Sequence, residues 1–163
     1  MSEVTLSVEK QFTLSIVVPA FNEEAVLPEF HRRLSGVLAS LNAESEIVYV
    51  NDGSRDGTVE VMTGFGDPRV AIIDLSRNFG KEIAMTAGLD HARGDAVIVI
   101  DADLQDPPEL IPELVARWRD GYDVVYARRS ARRGRSSTST TAPATAALPS
   151  SRGFVNAMPT LRW

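Results

Sequence analysis

The chain of 163 residues contains no cysteine, which excludes disulfides and thiolate metal ligands and fits a reducing compartment. No apolar run approaches the roughly 20 residues that cross a bilayer, and the N-terminus lacks the basic start and apolar core of a signal peptide. The formal net charge of -5 disfavours a nucleic-acid partner, because such proteins present a basic surface. These absences together predict a cytoplasmic chain without a transmembrane segment.

The chain also lacks the glycine-rich turns that bind phosphates through the backbone. The turn after the first predicted strand reads PAFNEE at residues 19–24, where a dinucleotide-binding fold needs G-x-G-x-x-G. No P-loop is present either. A dinucleotide-dependent dehydrogenase is therefore disfavoured, and any bound diphosphate must be held by side chains and a metal ion.

What the chain does have is a regular alternation of apolar strands and amphipathic helices. The strands are predicted at residues 14–19, 46–50, 70–75, 96–100 and 123–127, and the helices at 26–41, after 57, at 81–92 and at 107–120. Such alternation predicts an α/β fold with a mainly parallel sheet flanked by helices. The pattern stops after the fifth strand, so the fold is expected to be incomplete at its C-terminal side.

Composition divides the chain into three parts. Residues 1–13 are interpreted as a polar lead-in and 14–135 as the folded domain. From 136 to 151 every residue except Leu148 is Ser, Thr, Ala or Pro, a composition that cannot form a core. We therefore predict that residues 136–163 form a disordered tail. Two explanations of the change in composition after Arg135 stay open: a shift of reading frame near this residue and a natural flexible tail.

Two carboxylates follow the most apolar strand. Residues 97–100 read VIVI and run directly into Asp101 and Asp103. The carboxyl edge of a parallel sheet is where open α/β folds bind ligands, and paired hard oxygen donors suit Mg²⁺ or Mn²⁺ carrying a diphosphate. An ordinary turn after a strand is the alternative interpretation.

Two further acidic residues follow other strands. Glu23 comes after the first strand and Asp52 after the second, so both should lie at the same edge as Asp101 and Asp103. Asp52 could accept a hydrogen bond from a nucleobase, and Glu23 could accept one from a ribose hydroxyl. Alternatively, Asp52 is a turn residue and Glu23 favours a helix N-terminus.

These motifs resemble a known family. The sequences IVVPAFNEE at 16–24, VNDGSRDGT at 50–58 and DADLQDPPE at 101–109 are similar to those of the family 2 glycosyltransferases, which have the GT-A fold. Together with RNFGKE at 77–82, they resemble the polyprenyl-phosphate branch, which contains dolichyl-phosphate mannose synthases and bactoprenol glucosyltransferases. The resemblance covers residues 14 to about 135, as an incomplete nucleotide-sugar-binding domain.

The resemblance implies a role for each matching residue. The nucleoside pocket would be lined by Pro19, Phe21 and Glu23, and the base would contact Val50 and Asp52. Ribose and diphosphate would meet Asp101, Ala102 and Asp103. A Mg²⁺ or Mn²⁺ ion would be held by Asp103, the expected catalytic residue, and by Gln105, with Asp101 close by. Donor or acceptor phosphates would face Arg128 or Arg129. Lys81 is a weaker candidate for that cleft, the alternative being a solvated lysine at a helix start.

The implied reaction is transfer of a hexose from a nucleotide sugar, such as UDP-glucose or GDP-mannose, to a polyprenyl phosphate such as dolichyl or undecaprenyl phosphate. It would take place at the cytoplasmic face of a membrane, with possible peripheral contact through the arginines at 128–135. An inactive donor-binding remnant is the first alternative. A phosphatase of the haloacid dehalogenase type is the second, disfavoured by Gln105 and by a D-x-D that follows the fourth strand.

Three aromatic side chains are expected to lie outside this chemistry. His31 falls on the polar side of the first helix and His91 near the end of another, so both are predicted to be exposed. Trp118 is predicted to pack against the core.

Overall fold

The structure, a computed structural model, describes residues 11–126 and 153–156. Its strands are β1 Thr13–Ala20, β2 Glu44–Asn51, β3 Val70–Asp74, β4 Ala96–Val99, β5 Val124–Tyr126 and β6 Gly153–Asn156. Its α-helices are α1 Leu27–Ser40, α2 Thr58–Gly64, α3 Lys81–His91 and α4 Ile111–Arg119, with a 3₁₀ turn at Pro108–Leu110 before α4. The predicted alternation of strands and helices is confirmed.

The six strands form one sheet in the order β3-β2-β1-β4-β6-β5, and every pairing in it is parallel. Strand β1 lies between β2 and β4, with Ile16 opposite both Ile47 and Ile98. Because the strands are parallel, their carboxyl ends lie at one edge of the sheet. This edge receives the loops that carry the predicted site.

Both faces of the central strands are buried. Successive side chains point to opposite faces, so Ile16 packs into the core beneath α1 and α4, whereas Val17 packs into the core beneath α3. Gly88 of α3 lies so close to the sheet that a Cβ there would be 2.3 Å from Val17 Cγ1. The helix therefore approaches β1 at a distance that only glycine allows.

The folded domain begins earlier than residue 14. Thr13 is the first residue of β1, and Phe12 is buried with its ring 5.1 Å from the ring of Trp118. The predicted lead-in at residues 1–13 is therefore wrong at its last two positions, because Phe12 supplies apolar area that covers α4. The packing role predicted for Trp118 is confirmed.

Four residues of the predicted disordered tail form a strand. Gly153–Asn156 is β6, which pairs with β4 on one side and β5 on the other, with Val155 opposite both Ile98 and Val125. Phe154 and Val155 have high strand propensity, and the backbone of a central strand satisfies hydrogen-bonding groups on two neighbours. The disorder prediction is wrong for these four residues. Residues 127–152 and 157–163, with the rest of the predicted tail and the possible membrane-contacting arginines, lie outside the described part.

The predicted helix at residues 107–120 is divided. Its first turn is the 3₁₀ turn Pro108–Leu110 and the remainder is α4. Pro112, in the first turn of α4, has no N–H, and its ring would clash with the carbonyl four residues earlier in a continuous α-helix. In the part of the chain that the structure describes, no helix combines the length and apolar character needed to cross a membrane.

His31 is buried, so the prediction that it is exposed is wrong. Its ring stacks on Phe65 with centroids 3.9 Å apart, Nδ1 lies 3.1 Å from the Tyr49 hydroxyl, and Nε2 lies 3.6 Å from Asp67 Oδ2. The sequence pattern missed it because His31 lies at the border of the buried face of α1, where α2 and the residues after it close over the ring. His91 is exposed, as predicted.

This burial predicts a pH-dependent stability. Burial lowers the pKa of His31 below 6.5, an effect that the nearby Asp67 carboxylate opposes and Arg69 reinforces. Arg69 holds the pKa of Asp67 at about 2, so Asp67 stays ionised in the range where His31 titrates. Because the unfolded chain then binds more protons than the folded one below pH 6.5, stability falls as the pH drops from 6.5 towards the folded pKa of His31.

The measurement is the free energy of unfolding in urea at a series of pH values from about 7 to about 5. His31→Phe keeps the stacked ring but removes the titrating group, and should flatten the dependence whatever it does to absolute stability. His91→Phe, at an exposed position, is the matched control. A dependence that persists unchanged in His31→Phe would contradict the prediction.

Candidate functional site

A cleft of about 250 Å³ lies at the carboxyl edge of the sheet, where β1, β2 and β4 end. It is lined by Pro19, Ala20, Phe21, Glu23, Asp52, Asn78, Gly80, Lys81, Ala84, Asp101, Ala102 and Asp103. Residues at or after the ends of four strands, β1 to β4, and the start of α3 thus border one space. The structure therefore brings together most of the residues that the sequence singled out.

Among the described residues, two predicted site residues do not line the cleft. Val50 is fully buried in the core under α3, so its side chain does not reach the cleft, and the predicted base contact stays a prediction. Gln105 is exposed and outside the lining. Arg128 and Arg129 lie outside the described residues.

Other lining residues were missed by sequence reasoning. Asn78 and Gly80 belong to the loop that connects β3 to α3, and Ala84 belongs to the first turns of α3. A signal existed, because β3 runs parallel to β2 and its following loop must arrive at the same edge. The RNFGKE sequence at 77–82 carried the resemblance, yet only its lysine was considered as a candidate.

The loops after β1 and β2 are joined by hydrogen bonds. The Asn22 N–H donates to Ser54 Oγ (2.9 Å), and the Arg55 N–H donates to Asn22 Oδ1 (2.9 Å). The Gly57 N–H donates to Glu24 Oε2 (2.6 Å). Asn22 has a positive φ of 55°, which asparagine adopts more readily than most residues. The backbone of Glu23 is held by the same pair of loops, because its N–H donates to Thr58 Oγ1 (2.9 Å).

Asp52 holds the neighbouring loop in place. It is 3% exposed, and its two carboxylate oxygens accept the N–H groups of Phe79 (2.7 Å) and Gly80 (3.0 Å). The adjoining Gly53, at φ +65°, lies against the backbone of the same loop, since a Cβ there would be 2.2 Å from the Arg77 carbonyl carbon. Asp52 thus fixes the segment before α3, and its predicted base contact remains a proposal.

Four carboxylates of the described residues line the cleft, and Glu23, Asp101 and Asp103 among them interact electrostatically. Burial, followed by the neighbouring Asp103 and Asp101, raises the pKa of Glu23. Asp101 is paired with Lys81, whose Nζ lies 2.5 Å from Asp101 Oδ2. Asp103 is exposed, and its Oδ1 accepts the Gln105 N–H at 2.9 Å. Leu104 between them has a positive φ of 60°, a conformation that costs energy in a non-glycine residue and often accompanies functional sites.

The carboxylates could hold a divalent ion together with a ligand. Within residues 11–126 and 153–156, no group of three histidine or acidic side chains is arranged to bind a metal. Mg²⁺ and Mn²⁺, however, are commonly held by one or two carboxylates together with substrate phosphates. Asp101 and Asp103 fit that incomplete donor set, since the remaining ligands would come from the substrate and water.

The chain belongs to Glycosyl transferase family 2, whose sequence model matches residues 15–158. It is 54% identical over 122 residues to an uncharacterised glycosyltransferase of Bacillus subtilis, covering 74% of this chain and 38% of that protein. It is 49% identical over 121 residues to a prophage bactoprenol glucosyl transferase homolog of Escherichia coli, covering 73% and 40%. The chain therefore spans about two fifths of these relatives' length.

Solved structures confirm the GT-A class of fold. Mannosyl-3-phosphoglycerate synthase from Rubrobacter xylanophilus superposes with a TM-score of 0.61 at 25% identity, over 72% of this chain and 41% of that one. A mannosyltransferase from Pyrobaculum calidifontis, in complex with GDP-Man and Mn²⁺, superposes with a TM-score of 0.58 at 22% identity, over 74% and 37%. The parallel sheet with its cleft at the carboxyl edge is thus the glycosyltransferase architecture predicted from the motifs.

Proposed function

We propose that the cleft binds a nucleoside-diphosphate hexose and that the whole protein transfers the hexose to a polyprenyl phosphate. The observation that carries the proposal is the convergence of Glu23, Asp101, Asp103 and Lys81 on one cleft in a chain of this family. The relative of E. coli named as a bactoprenol glucosyl transferase homolog supports the lipid acceptor. With such an acceptor the reaction would take place at a membrane, and we propose its cytoplasmic face.

The nucleoside would occupy the side of the cleft formed by the loop after β1. Pro19 and the 41%-exposed ring of Phe21 offer apolar surface there, and Glu23 offers a carboxylate to the ribose hydroxyls. Asp52 and Asn78 line the cleft further along, within reach of a base edge. Uridine and guanosine donors, as in UDP-glucose and GDP-mannose, both present N–H groups that such a carboxylate can accept.

The diphosphate would lie beside Asp101, Ala102 and Asp103. These residues, with the side chain of Gln105 if it turns inward, would hold Mg²⁺ or Mn²⁺; the Mn²⁺ in the Pyrobaculum enzyme supports a divalent ion generally. When bound, such an ion neutralises charge on the departing diphosphate. Arg128 or Arg129, which follow β5 in sequence, are proposed to face a donor or acceptor phosphate.

The chemical step exchanges one bond for another at the anomeric carbon. An oxygen of the acceptor phosphate forms the new C–O bond, and the electron pair of the old C–O bond leaves with the nucleoside diphosphate. Because a phosphate nucleophile is already ionised at neutral pH, little general-base help is needed. The contribution of the cleft is to orient the donor and to stabilise negative charge on the leaving group through the cationic side chain of Lys81, which lines it.

A second candidate is a donor-binding unit without transferase activity. It is supported by the donor cleft, which the described residues form. The two candidates share the donor cleft and differ only at the acceptor. Sugar transfer to a polyprenyl phosphate therefore distinguishes them, whereas donor binding tests the feature that they share.

The test is calorimetric titration of this chain with UDP-glucose and with GDP-mannose, each with and without Mn²⁺. We expect binding of one donor that depends on Mn²⁺, which would also identify the base. Incubation of the complex with undecaprenyl phosphate then tests transfer. A chain that melts cooperatively yet binds neither donor would overturn the proposed function.

A further inference from the structure

Lys81 is the one cationic side chain among the described residues that line the cleft. It is the first residue of α3, directly after the two amides that Asp52 accepts. The start of α3 is therefore fixed relative to the sheet edge. Because the start of α3 is held there, the Lys81 side chain reaches Asp101, and its Nζ forms an ion pair with Asp101 Oδ2.

The two partners differ in exposure and mobility. The side chain of Asp101 is 18% exposed and that of Lys81 is 49% exposed. Asp101 follows a fully paired strand and lies near two other carboxylates, so it needs a counter-charge when the cleft is empty. Lysine carries a compact charge on a flexible stem, so its ammonium can move while the carboxylate stays in place.

A divalent ion would compete with this ammonium. A divalent ion on Asp101 would lie within a few ångströms of Nζ and repel it. A bound diphosphate would place new negative oxygens in the same cleft, within the sweep of the lysine stem. The ammonium would then exchange a carboxylate partner for a phosphate partner and remain paired.

We propose that Lys81 is a built-in counter-ion that occupies Asp101 in the empty cleft and moves to the donor diphosphate when a divalent ion takes its place. This inference rests on the proposed function and adds a mechanism of loading to it. A metal ion that binds alone must displace the Lys81 ammonium from Asp101 and leaves it without a new partner. When metal and nucleotide bind together, the ion pairs with Asp101 and the ammonium pairs with the diphosphate. The two ligands therefore bind cooperatively, and by linkage each strengthens the other by the same factor.

The test compares the affinity for Mn²⁺ alone, for UDP alone and for UDP with Mn²⁺, with GDP in place of UDP where the donor titration identifies guanosine as the base. Mn²⁺ alone is measured by water-proton relaxation and UDP by calorimetry, on the full chain. Lys81→Met removes the ammonium and keeps much of the stem, and Lys81→Arg keeps a charge. Arg77→Met removes the same charge from an exposed guanidinium that lies over the Phe79 ring outside the cleft lining, and is the matched control.

For Lys81→Met we expect Mn²⁺ alone to bind about fivefold more tightly and UDP with Mn²⁺ about tenfold more weakly, so that the coupling between the ligands largely disappears. Lys81→Arg should retain coupling, and Arg77→Met should match the wild type. If Lys81→Met bound Mn²⁺ no more tightly than the wild type, or if the coupling between Mn²⁺ and UDP were unchanged, the proposed movement of Lys81 would be overturned. The proposed function would not be affected by that result. Failure of the wild type to bind either UDP or GDP with Mn²⁺ would overturn the proposed function as well.

Discussion

Asp103→Ala is expected to abolish Mn²⁺-dependent nucleotide binding. The variant removes one of the two carboxylates that would join the ion to the diphosphate, and loss of a direct ligand should weaken UDP binding in the presence of Mn²⁺ by about 100-fold or more, roughly 3 kcal/mol. Asp103 is exposed and lies in a turn outside the core, so thermal unfolding should remain close to that of the wild type. Calorimetry with UDP, with and without Mn²⁺, is the measurement.

Two further variants separate ligand binding from turn formation. Asp103→Asn keeps an oxygen that can accept the Gln105 N–H, the hydrogen bond that closes the turn, but it removes the charge. It should therefore lose Mn²⁺-dependent binding nearly as fully as Asp103→Ala. Asp90→Ala removes the same charge from an exposed position near the C-terminal end of α3 and should bind normally. Wild-type affinity in Asp103→Asn would show that Asp103 serves only the turn.

The position of the cleft was predictable from the sequence because the carboxyl ends of parallel strands all lie at one edge of the sheet. The VIVI run at 97–100 had to be a buried strand, and the alternation of elements made it parallel to β1 and β2. Glu23, Asp52, Asp101 and Asp103 then had to converge at one edge. Local patterns sufficed here because each residue directly follows a strand.

Features that depend on contacts between distant segments were not predictable in the same way. Asp52 was interpreted as a base contact or a turn residue, yet its oxygens accept amides 27 and 28 residues away. His31 was placed on a polar face, although Phe65, the residue directly after α2, stacks on it. Strand β6 follows a stretch without periodicity, and only pairing with β4 and β5 defines it. A hydrophobic pattern predicts which face of its own helix or strand a residue lies on. It does not predict which other segment of the chain packs against that face.

Gly53→Ala should be among the most damaging single substitutions near the cleft. Residue 53 has φ +65°, and a Cβ there would lie 2.2 Å from the Arg77 carbonyl carbon and 2.4 Å from the Asn78 nitrogen. The left-handed conformation costs an alanine about 1 kcal/mol, and displacement of a neighbouring backbone adds about 2 kcal/mol more. We expect a loss of about 3 kcal/mol in the free energy of unfolding, measured in urea.

Gly66→Ala separates the two causes, because Gly66 has φ +63° but nothing within 4 Å of its Cβ position. It should lose only the conformational part, about 1 kcal/mol. If Gly53→Ala instead shifts the 77–80 loop to make room, the Asp52 hydrogen bonds to Phe79 and Gly80 must lengthen. Those two amides should then exchange faster with solvent, and UDP should bind more weakly, since Lys81 follows them directly. The two glycines have nearly identical φ and differ only in the backbone contact at Gly53. If both variants lost the same stability, and the amides of Phe79 and Gly80 exchanged with solvent at the normal rate, the loop would not be held against Gly53.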